Sequence, residues 1–304
     1  MKVAISGSTG FIGSHLISWL SKNEFNISRL VRTKPFHDIR YPNIFWNPEK
    51  REIESHLLEN QDMIIHLAGE NIAKERWTKK RKEEIRKSRV DGTSFLCQTL
   101  ASLTHPPKIF FSASAIGFYG NRDPEERLSE ESNPGEGFLA SVVKDWEKAT
   151  EPLLATKTRV ILMRFGLVLS PKGGALKRML LPFKLGLGGK IGPGTQMMSW
   201  ISIDEIPRII YHTITHPELQ GPINFTAPNP LSNKEFTSLL AKTLERPALF
   251  PVPAFVVKAL FGEMGEELLL GGASILPRKL QESGYRFLFP DLLSALFHLL
   301  SQPY

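Results

Sequence analysis

Gly7, Gly10 and Gly13 follow an apolar run at the start of the chain, each three residues from the next. Between a strand and a helix, the first such glycine permits a tight turn, the second lets the backbone approach a pyrophosphate, and the third allows close helix packing. The helix N-terminus then directs free N–H groups at the phosphates. We therefore expect a dinucleotide to contact the segment Gly7, Ser8, Thr9, Gly10, Phe11, Ile12 and Gly13. The alternative is a glycine turn without a ligand.

An arginine stands where the second strand should end. Arg32 lies nineteen residues after Gly13, and no acid stands beside it. Sites that prefer NAD usually carry an acid here for the ribose 2′-hydroxyl, whereas an arginine suits a 2′-phosphate through charge-assisted hydrogen bonds. The sequence therefore predicts NADP(H) as the cofactor. The alternative is that Arg32 is a solvated surface charge.

The elements that position these residues alternate along the first half of the chain. Apolar runs predict strands over residues 2–6, 27–31, 43–46, 62–68, 108–112 and 159–164. Helical spacing predicts helices over 11–22, 78–102 and 138–154. This alternation favours an α/β fold with a doubly wound parallel sheet covered on both faces. The cofactor would lie across the C-terminal strand ends, beside Leu67, Ala68 and Gly69.

The alternation of predicted strands and helices becomes less regular after about residue 165. We expect residues 1–165 to form the cofactor-binding core, and residues 166–304 to form a substrate-side and mostly helical C-terminal lobe, with some later segments returning to the core. The apolar residues between Phe255 and Leu270 are expected to pack in the core in preference to forming a membrane face, and a homodimer surface is a further alternative; they are Phe255, Leu260, Phe261, Leu268, Leu269 and Leu270.

Composition sets the broad class and the expected partners. The chain has 304 residues, is 41% hydrophobic and 23% charged, and lacks an apolar run long enough to span a membrane. Its N-terminus reads as a strand, so we expect a cytoplasmic protein with no membrane partner. A net charge of +7 favours an anionic ligand. Cys97 is the single cysteine, which excludes an internal disulfide, and no metal site is expected.

The segment from residue 74 to residue 89 is rich in lysine and arginine. Such a segment could contact RNA or DNA through phosphate groups. It contains Trp77 alone among aromatic residues, so base stacking has little support. A solvated helix face is favoured, and a nucleic-acid partner is not expected.

Several blocks together resemble a known family. They are Ser8–Gly13, Leu67–Ile72, Arg76–Trp77, Ser88–Val90, Ser112–Gly120, Trp146–Glu147, Gly173–Leu176, Gly188–Gly189, Ser199–Ile201, Asn224–Pro230 and Pro277–Leu280. The chain resembles the extended short-chain dehydrogenase/reductase superfamily, and in particular its atypical branch called the epimerase family, related to NAD-dependent epimerases and dehydratases. The resemblance implies a Rossmann domain that binds NADP(H), and a small C-terminal domain.

The resemblance also implies a catalytic Ser, Tyr and Lys, and the chain matches this set only in part. Ser114 matches the serine at the end of its strand. With Glu147 as the anchor, Leu139 occupies the usual Tyr position and Val143 the usual Lys position. Ordinary dehydrogenase chemistry, in which a charge-tuned phenol exchanges the proton, therefore needs substitutes.

Four residues are the candidate substitutes. Tyr119 follows the strand that carries Ser114, and Lys144 is one residue out of register, about 100° around the helix. Glu70 and Arg89 are expected near the cofactor, where Arg89 replaces the asparagine usual in the superfamily. Each has another interpretation: Tyr119 only lines the pocket, Lys144 is a solvated charge, Glu70 caps a helix, and Arg89 braces the strand ends.

Three functions follow as hypotheses. The first is an NADP(H)-dependent oxidoreductase or epimerase that acts on a small carbonyl or sugar-type substrate with a non-standard catalytic centre. The second is a non-catalytic NADP(H)-binding sensor or scaffold, favoured by the missing Tyr and Lys. The third is nucleic-acid or partner binding through residues 74–89.

Overall fold

The computed structural model describes residues 1–33 and 40–301. Its strands are β1 (Lys2–Ser6), β2 (Asn26–Val31), β3 (Asn43–Asn47), β4 (Glu52–Ile53), β5 (Met63–His66), β6 (Ile109–Ala115), β7 (Arg127–Leu128), β8 (Arg159–Phe165), β9 (Leu167–Leu169), β10 (Met197–Met198), β11 (Trp200–Ser202), β12 (Gly221–Phe225), β13 (Leu231–Ser232) and β14 (Ser274–Ile275). Its helices are α1 (Phe11–Lys22), α2 (Lys79–Ala101), α3 (Phe138–Lys148), α4 (Gly174–Lys184), α5 (Glu205–Thr215), α6 (Asn233–Thr243), α7 (Ala254–Phe261), α8 (Glu263–Gly265), α9 (Arg278–Glu282) and α10 (Leu292–Ser301).

The main sheet is doubly wound. Within the described residues it contains eight strands in the order β12-β8-β6-β5-β1-β2-β3-β4. Its neighbouring strands are parallel, except for the antiparallel pair β3 and β4. The chain starts in the middle with β1, winds outward through β2 and β3, and then crosses to β5 on the other side. This confirms the expected α/β class and places the topological switch point, where such sheets bind ligands, at the carboxyl ends of β1 and β5.

Alternate residues of β1 pack against helices on opposite faces of the sheet. Val3 and Ile5 belong to the hydrophobic cluster that includes Leu16 of α1. Ala4 belongs to the cluster on the other face, with Leu96 of α2. Because successive strand residues point to opposite faces, a continuous apolar run is what a strand covered on both sides requires.

The third predicted helix is shorter than expected. α3 ends at Lys148, and a single 3₁₀ turn follows over Glu151–Ala155. The Thr150 hydroxyl bonds back to the Glu147 carbonyl at 2.8 Å, and Pro152 has no N–H with which to continue the α-helical ladder. The prediction of one helix to residue 154 was therefore wrong in its last turns.

Residues beyond 165 share the core of the first half. β12 returns to the edge of the main sheet, where Phe225 pairs with Phe165. One hydrophobic cluster contains Leu16, Trp200 and Leu296. The main sheet and the later helices are thus joined by continuous apolar packing.

The apolar segment after Phe255 does not pack as expected. Phe255 is 72% exposed and Leu260 is 62% exposed, whereas Val257 is the fully buried residue of α7. α7 is two turns long, so only one edge of it can face inward. The prediction of core packing was therefore wrong for Phe255, Leu260 and Phe261, the last of which is 37% exposed. None of the described helices combines the length and the apolar composition needed to cross a bilayer.

Candidate nucleotide site and the adjoining polar network

The turn between β1 and α1 accepts only glycine at two positions. Gly7 has φ +66°, and a Cβ there would lie 2.7 Å from the backbone carbon of Leu67. A Cβ on Gly13 would lie 2.2 Å from the Gly7 carbonyl oxygen. The Gly10 N–H donates to that same oxygen at 3.0 Å and closes the turn. Since a side chain would fill these contacts, the glycine spacing follows from the shape of the turn.

The N-terminus of α1 is open to an anion. Its N-cap is Gly10, which provides no side-chain cap, and the first turn of α1 carries no acid. A Cβ on Gly10 would meet only the Gly7 oxygen, at 3.1 Å, so the outer side of the turn is free of neighbouring atoms. Uncapped N–H groups and the positive end of the helix dipole suit a pyrophosphate. The residues present therefore fit a dinucleotide.

A buried polar cluster lies below this turn. The Ser6 hydroxyl is 2.6 Å from Nδ1 of His66 and accepts the N–H groups of the two residues that follow His66. Nε2 of His66 is 3.1 Å from the Thr93 hydroxyl, which also accepts from Trp146 Nε1. Burial lowers the pKa of His66 to about 4, so the imidazole is neutral at pH 7. This cluster was not predicted, although a polar residue at the end of each of two apolar strands could have indicated it.

Arg89 braces the loop that follows β5. Its guanidinium donates to the carbonyls of Glu70 at 2.9 Å and Ile85 at 3.1 Å. It lies over the Trp146 ring at 5.2 Å, and a Cβ on Gly69 would lie 3.5 Å from its central carbon. Burial lowers the pKa of Arg89 to about 10, which leaves it charged at pH 7. These contacts match the bracing interpretation of Arg89.

The Glu70 carboxylate is held by an ion pair. Oε2 of Glu70 lies 3.3 Å from the buried Arg81, which also pairs with Glu84 at 3.0 Å. The Glu70 N–H donates to the Ser88 hydroxyl at 3.1 Å. This carboxylate therefore neutralises a buried cation and does not cap a helix.

Within the described part of the chain, four of the nine cations in the basic segment form ion pairs with acids. Besides Arg81, three of its cations form ion pairs: Lys82 with Glu263, Arg86 with Asp145, and Lys87 with Glu83. Thr78 caps the start of α2 by accepting the Arg81 N–H at 3.1 Å. These pairs reduce the positive field that a nucleic acid would meet.

Arg32 lies directly beyond β2, one strand from the glycine turn. Ser6 and Leu30 are paired residues of β1 and β2, so the carboxyl ends of these strands are side by side. The Arg32 side chain is exposed. Across residues 1–33 and 40–301 no hydrogen bond or ion pair engages its guanidinium, which is therefore open to an anionic group.

Ser114 belongs to a buried network at the ends of β6 and β8. Its hydroxyl donates to Oε1 of Glu147 at 2.6 Å, and Arg164 grips both carboxylate oxygens of Glu147 at 2.8 Å. Arg164 also donates to the Tyr119 hydroxyl at 2.9 Å, and that hydroxyl donates to Oδ1 of Asn224 at 2.7 Å. The parallel pairing of β6 and β8 places Ser114 beside Arg164.

Tyr119 belongs to the same hydrogen-bonded network as Ser114, whereas Lys144 does not. Tyr119 is fully buried, and burial raises the pKa of its phenol. Lys144 is exposed on α3, next to the buried Val143. Leu139 and Val143, at the usual Tyr and Lys positions, face Gly117. A Cβ added to Gly117 would lie 3.3 Å from Leu139 and 3.8 Å from Val143. The two positions that carry acid–base groups in ordinary dehydrogenases are thus apolar here.

Comparison with known proteins defines the class. Residues 3–225 match the NAD dependent epimerase/dehydratase family, and residues 252–299 match a domain of unknown function, DUF1731. The chain belongs to the NAD-dependent epimerase/dehydratase family, and the resemblance seen in the sequence is confirmed. The family binds a nicotinamide cofactor, and this chain has a Rossmann fold with a helical C-terminal region.

Individual relatives cover nearly the whole chain. Epimerase family protein Mb2239 of Mycobacterium bovis is 38% identical over 301 residues, 99% of this chain and 98% of its own length. The crystal structure of human epimerase family protein SDR39U1 with NADPH has a TM-score of 0.89 at 32% identity, and covers 98% and 99% of the two chains. A nucleoside-diphosphate sugar epimerase from Corynebacterium glutamicum has a TM-score of 0.80 at 36% identity, over 99% of this chain and 58% of that one.

Proposed function

We propose that this chain binds NADP(H) in the crevice above β1 and β5, with the 2′-phosphate on Arg32. The observation that carries the proposal is the N-terminus of α1, which has no side-chain cap and no acid in its first turn. It follows a turn in which positions 7 and 13 have room only for glycine. The exposed Arg32 guanidinium at the end of β2 supports the phosphorylated cofactor. The NADPH named for the human relative agrees with it.

We further propose that the bound cofactor serves an oxidoreductase or epimerase reaction on a small carbonyl or sugar-type substrate. NADP(H) supplies the hydride donor or acceptor. On the protein side, the Ser114 hydroxyl donates to Oε1 of Glu147, and a bound substrate hydroxyl would donate to the Ser114 oxygen. A proton from that hydroxyl would pass to Oγ of Ser114 while the Ser114 proton passes to Oε1 of Glu147.

The other members of the network position this pair. Arg164 fixes the Glu147 carboxylate through two hydrogen bonds, and Tyr119 and Asn224 extend the same network. We assign Tyr119 a positioning role because both interactions of its hydroxyl lie inside the protein. Lys144 has no part in this route, because it lies on the exposed face of α3.

A non-catalytic NADP(H) sensor is the second candidate. It is favoured by the apolar Leu139 and Val143 and by the internal bonding of the Ser114 and Tyr119 hydroxyls. One assay distinguishes the oxidoreductase from the sensor. Purified protein is incubated with NADPH and a panel of aldehydes, ketones and nucleotide sugars, and loss of NADPH absorbance is followed.

Turnover with a panel member, lost in Ser114→Ala while NADPH still binds, would support the oxidoreductase. Absence of turnover across the panel, with tight NADPH binding retained, would favour the sensor. Failure to bind NADPH would remove both.

A further inference from the structure

Seven large apolar side chains stand exposed on one part of the surface. Leu249 is 75% exposed, Phe255 72% and Leu181 66%. The same surface, hereafter the apolar face, comprises Leu181, Leu185, Leu187, Leu249, Phe250, Val252 and Phe255. Side chains this exposed protrude from the protein instead of lining a groove. An apolar patch of this kind marks an interaction surface.

The apolar face is continuous because two segments of the chain lie side by side. Leu187 forms a bridge with Ala248, and Ile191 with Val252. The Phe250 N–H donates to the Gly188 carbonyl at 3.1 Å, and a Cβ on Gly192 would lie 3.6 Å from Cβ of Ala254. The end of α4, the loop after it, and the segment leading into α7 therefore form one surface.

The charged side chains of the two segments that form the apolar face are all positive. Residues 171–192 and 246–256 contain no Asp or Glu, and their cations are Lys172, Lys177, Arg178, Lys184, Lys190 and Arg246. Glu245 borders the second segment. Lys172, Lys177 and Lys184 share a surface hollow with Pro171, Leu180 and Leu181. The cations can contact the anionic headgroup of an amphiphile, and the protruding leucines can contact its apolar tail.

We propose that the apolar face docks on an anionic phospholipid surface, with the hollow at Lys172 and Lys177 receiving a lipid phosphate and the exposed leucines and phenylalanines entering the acyl boundary. Basic residues near such a surface and buried apolar side chains each strengthen this kind of peripheral binding. A second copy fits less well, because a two-fold contact would bring two surfaces of the same positive charge together.

This proposal departs from the expectation of no membrane partner, which rested on the lack of a spanning segment. Sequence alone does not separate the buried Leu180 and Phe183 from the exposed Leu181 and Leu185 beside them. Only the packing of α4 on the core shows which of these side chains face outward.

The test is co-sedimentation of the full chain with vesicles of phosphatidylcholine alone and of phosphatidylcholine mixed with phosphatidylglycerol. We expect binding to the mixed vesicles only, weakened by added salt. Leu249→Ser with Phe250→Ser should reduce the bound fraction about tenfold or more. Lys172→Glu with Lys177→Glu should do the same.

The matched control is Leu154→Ser with Lys157→Glu, in the segment before β8, where Leu154 is 76% exposed and Lys157 is also exposed. This variant should bind like the original chain. Thermal unfolding midpoints that stay unchanged would show that each variant folds.

Folded protein that remains in solution with mixed vesicles would overturn the proposal. So would equal binding to both vesicle types. A dimer in solution that Leu249→Ser with Phe250→Ser dissociates, without vesicle binding, would instead assign the apolar face to a second copy. Binding of an acidic protein at this face, without vesicle binding, would likewise contradict it.

Discussion

At the scale of single residues, the molecule keeps the groups that hold a nucleotide and changes the groups that would transfer a proton. Gly7 and Gly13 are fixed by contacts that no side chain could occupy. In contrast, Leu139 and Val143 stand where a phenol and an amine are usual, and Ser114 is bonded to Glu147. Cofactor binding and chemistry can therefore be tested separately.

Replacement of Arg32 should change the preference between cofactors. A charge-assisted hydrogen bond to a phosphate contributes about 1.5–3 kcal/mol, so Arg32→Ala should weaken NADPH binding roughly 10- to 150-fold. NADH, which has no 2′-phosphate, should be affected little. Titration calorimetry with both cofactors measures the difference. Lys22→Ala, which removes an exposed charge at the end of α1, is the control, and equal weakening of both cofactors by Arg32→Ala would remove the assigned role.

Two glycine substitutions should separate folding from binding. Gly13→Ala places a Cβ 2.2 Å from the Gly7 oxygen, and overpacking of this kind destabilises by about 1–3 kcal/mol. Gly10→Ala meets its nearest atom at 3.1 Å and projects toward the proposed pyrophosphate. We expect Gly13→Ala to lower the free energy of unfolding, and Gly10→Ala to lower NADPH affinity with much less loss of stability. Urea unfolding and calorimetry measure these two quantities, and the reverse pattern would contradict the geometry.

At the scale of elements, much of the positioning framework could be predicted. β1 and α1 were predicted with their observed limits, because a β-rich apolar run and a helical pattern meet at a glycine turn. The early end of α3 was not predicted, since apolar spacing continues past Lys148 and only the local bonds of Thr150 and Pro152 stop the helix. The short antiparallel pairing of β3 with β4 depends on tertiary packing, which the local sequence pattern does not indicate.

His66 joins β1, β5 and α2, and it should make stability depend on pH. Its pKa is lowered from 6.5 to about 4 in the folded protein, so the unfolded chain binds the proton more readily. The contribution is complete above about pH 6.5 and is lost as pH falls from there toward 4. For a fully buried group the loss amounts to about 3 kcal/mol.

The matched variant for this prediction is His66→Gln, whose amide can still bond to Ser6 and Thr93. Other groups, such as Asp204, also have a lowered pKa and lose stability in acid, so the comparison with this variant isolates His66. Between pH 7 and 4, the free energy of unfolding should fall more steeply in the original chain than in His66→Gln. Parallel curves would show that His66 does not carry this dependence.

At the scale of the whole molecule, the sequence predicted the doubly wound sheet better than the site. Strand-helix alternation indicates the sheet, and the resemblance locates Ser114. The network of Glu147, Arg164, Tyr119 and Asn224 joins residues up to 105 positions apart, and only the folded sheet brings them together. The exposure of Phe255 and Leu260 was likewise set by how α7 sits on the core.

The most direct test of the account is calorimetric titration of the pure, folded chain with NADPH and NADH, supported by thermal unfolding. We expect one NADPH per chain, weaker NADH binding, and stabilisation of about 2.7 kcal/mol at NADPH concentrations a hundred times the Kd. No heat and no upward shift in Tm with either NADPH or NADH would contradict the nucleotide site at the β1–α1 turn.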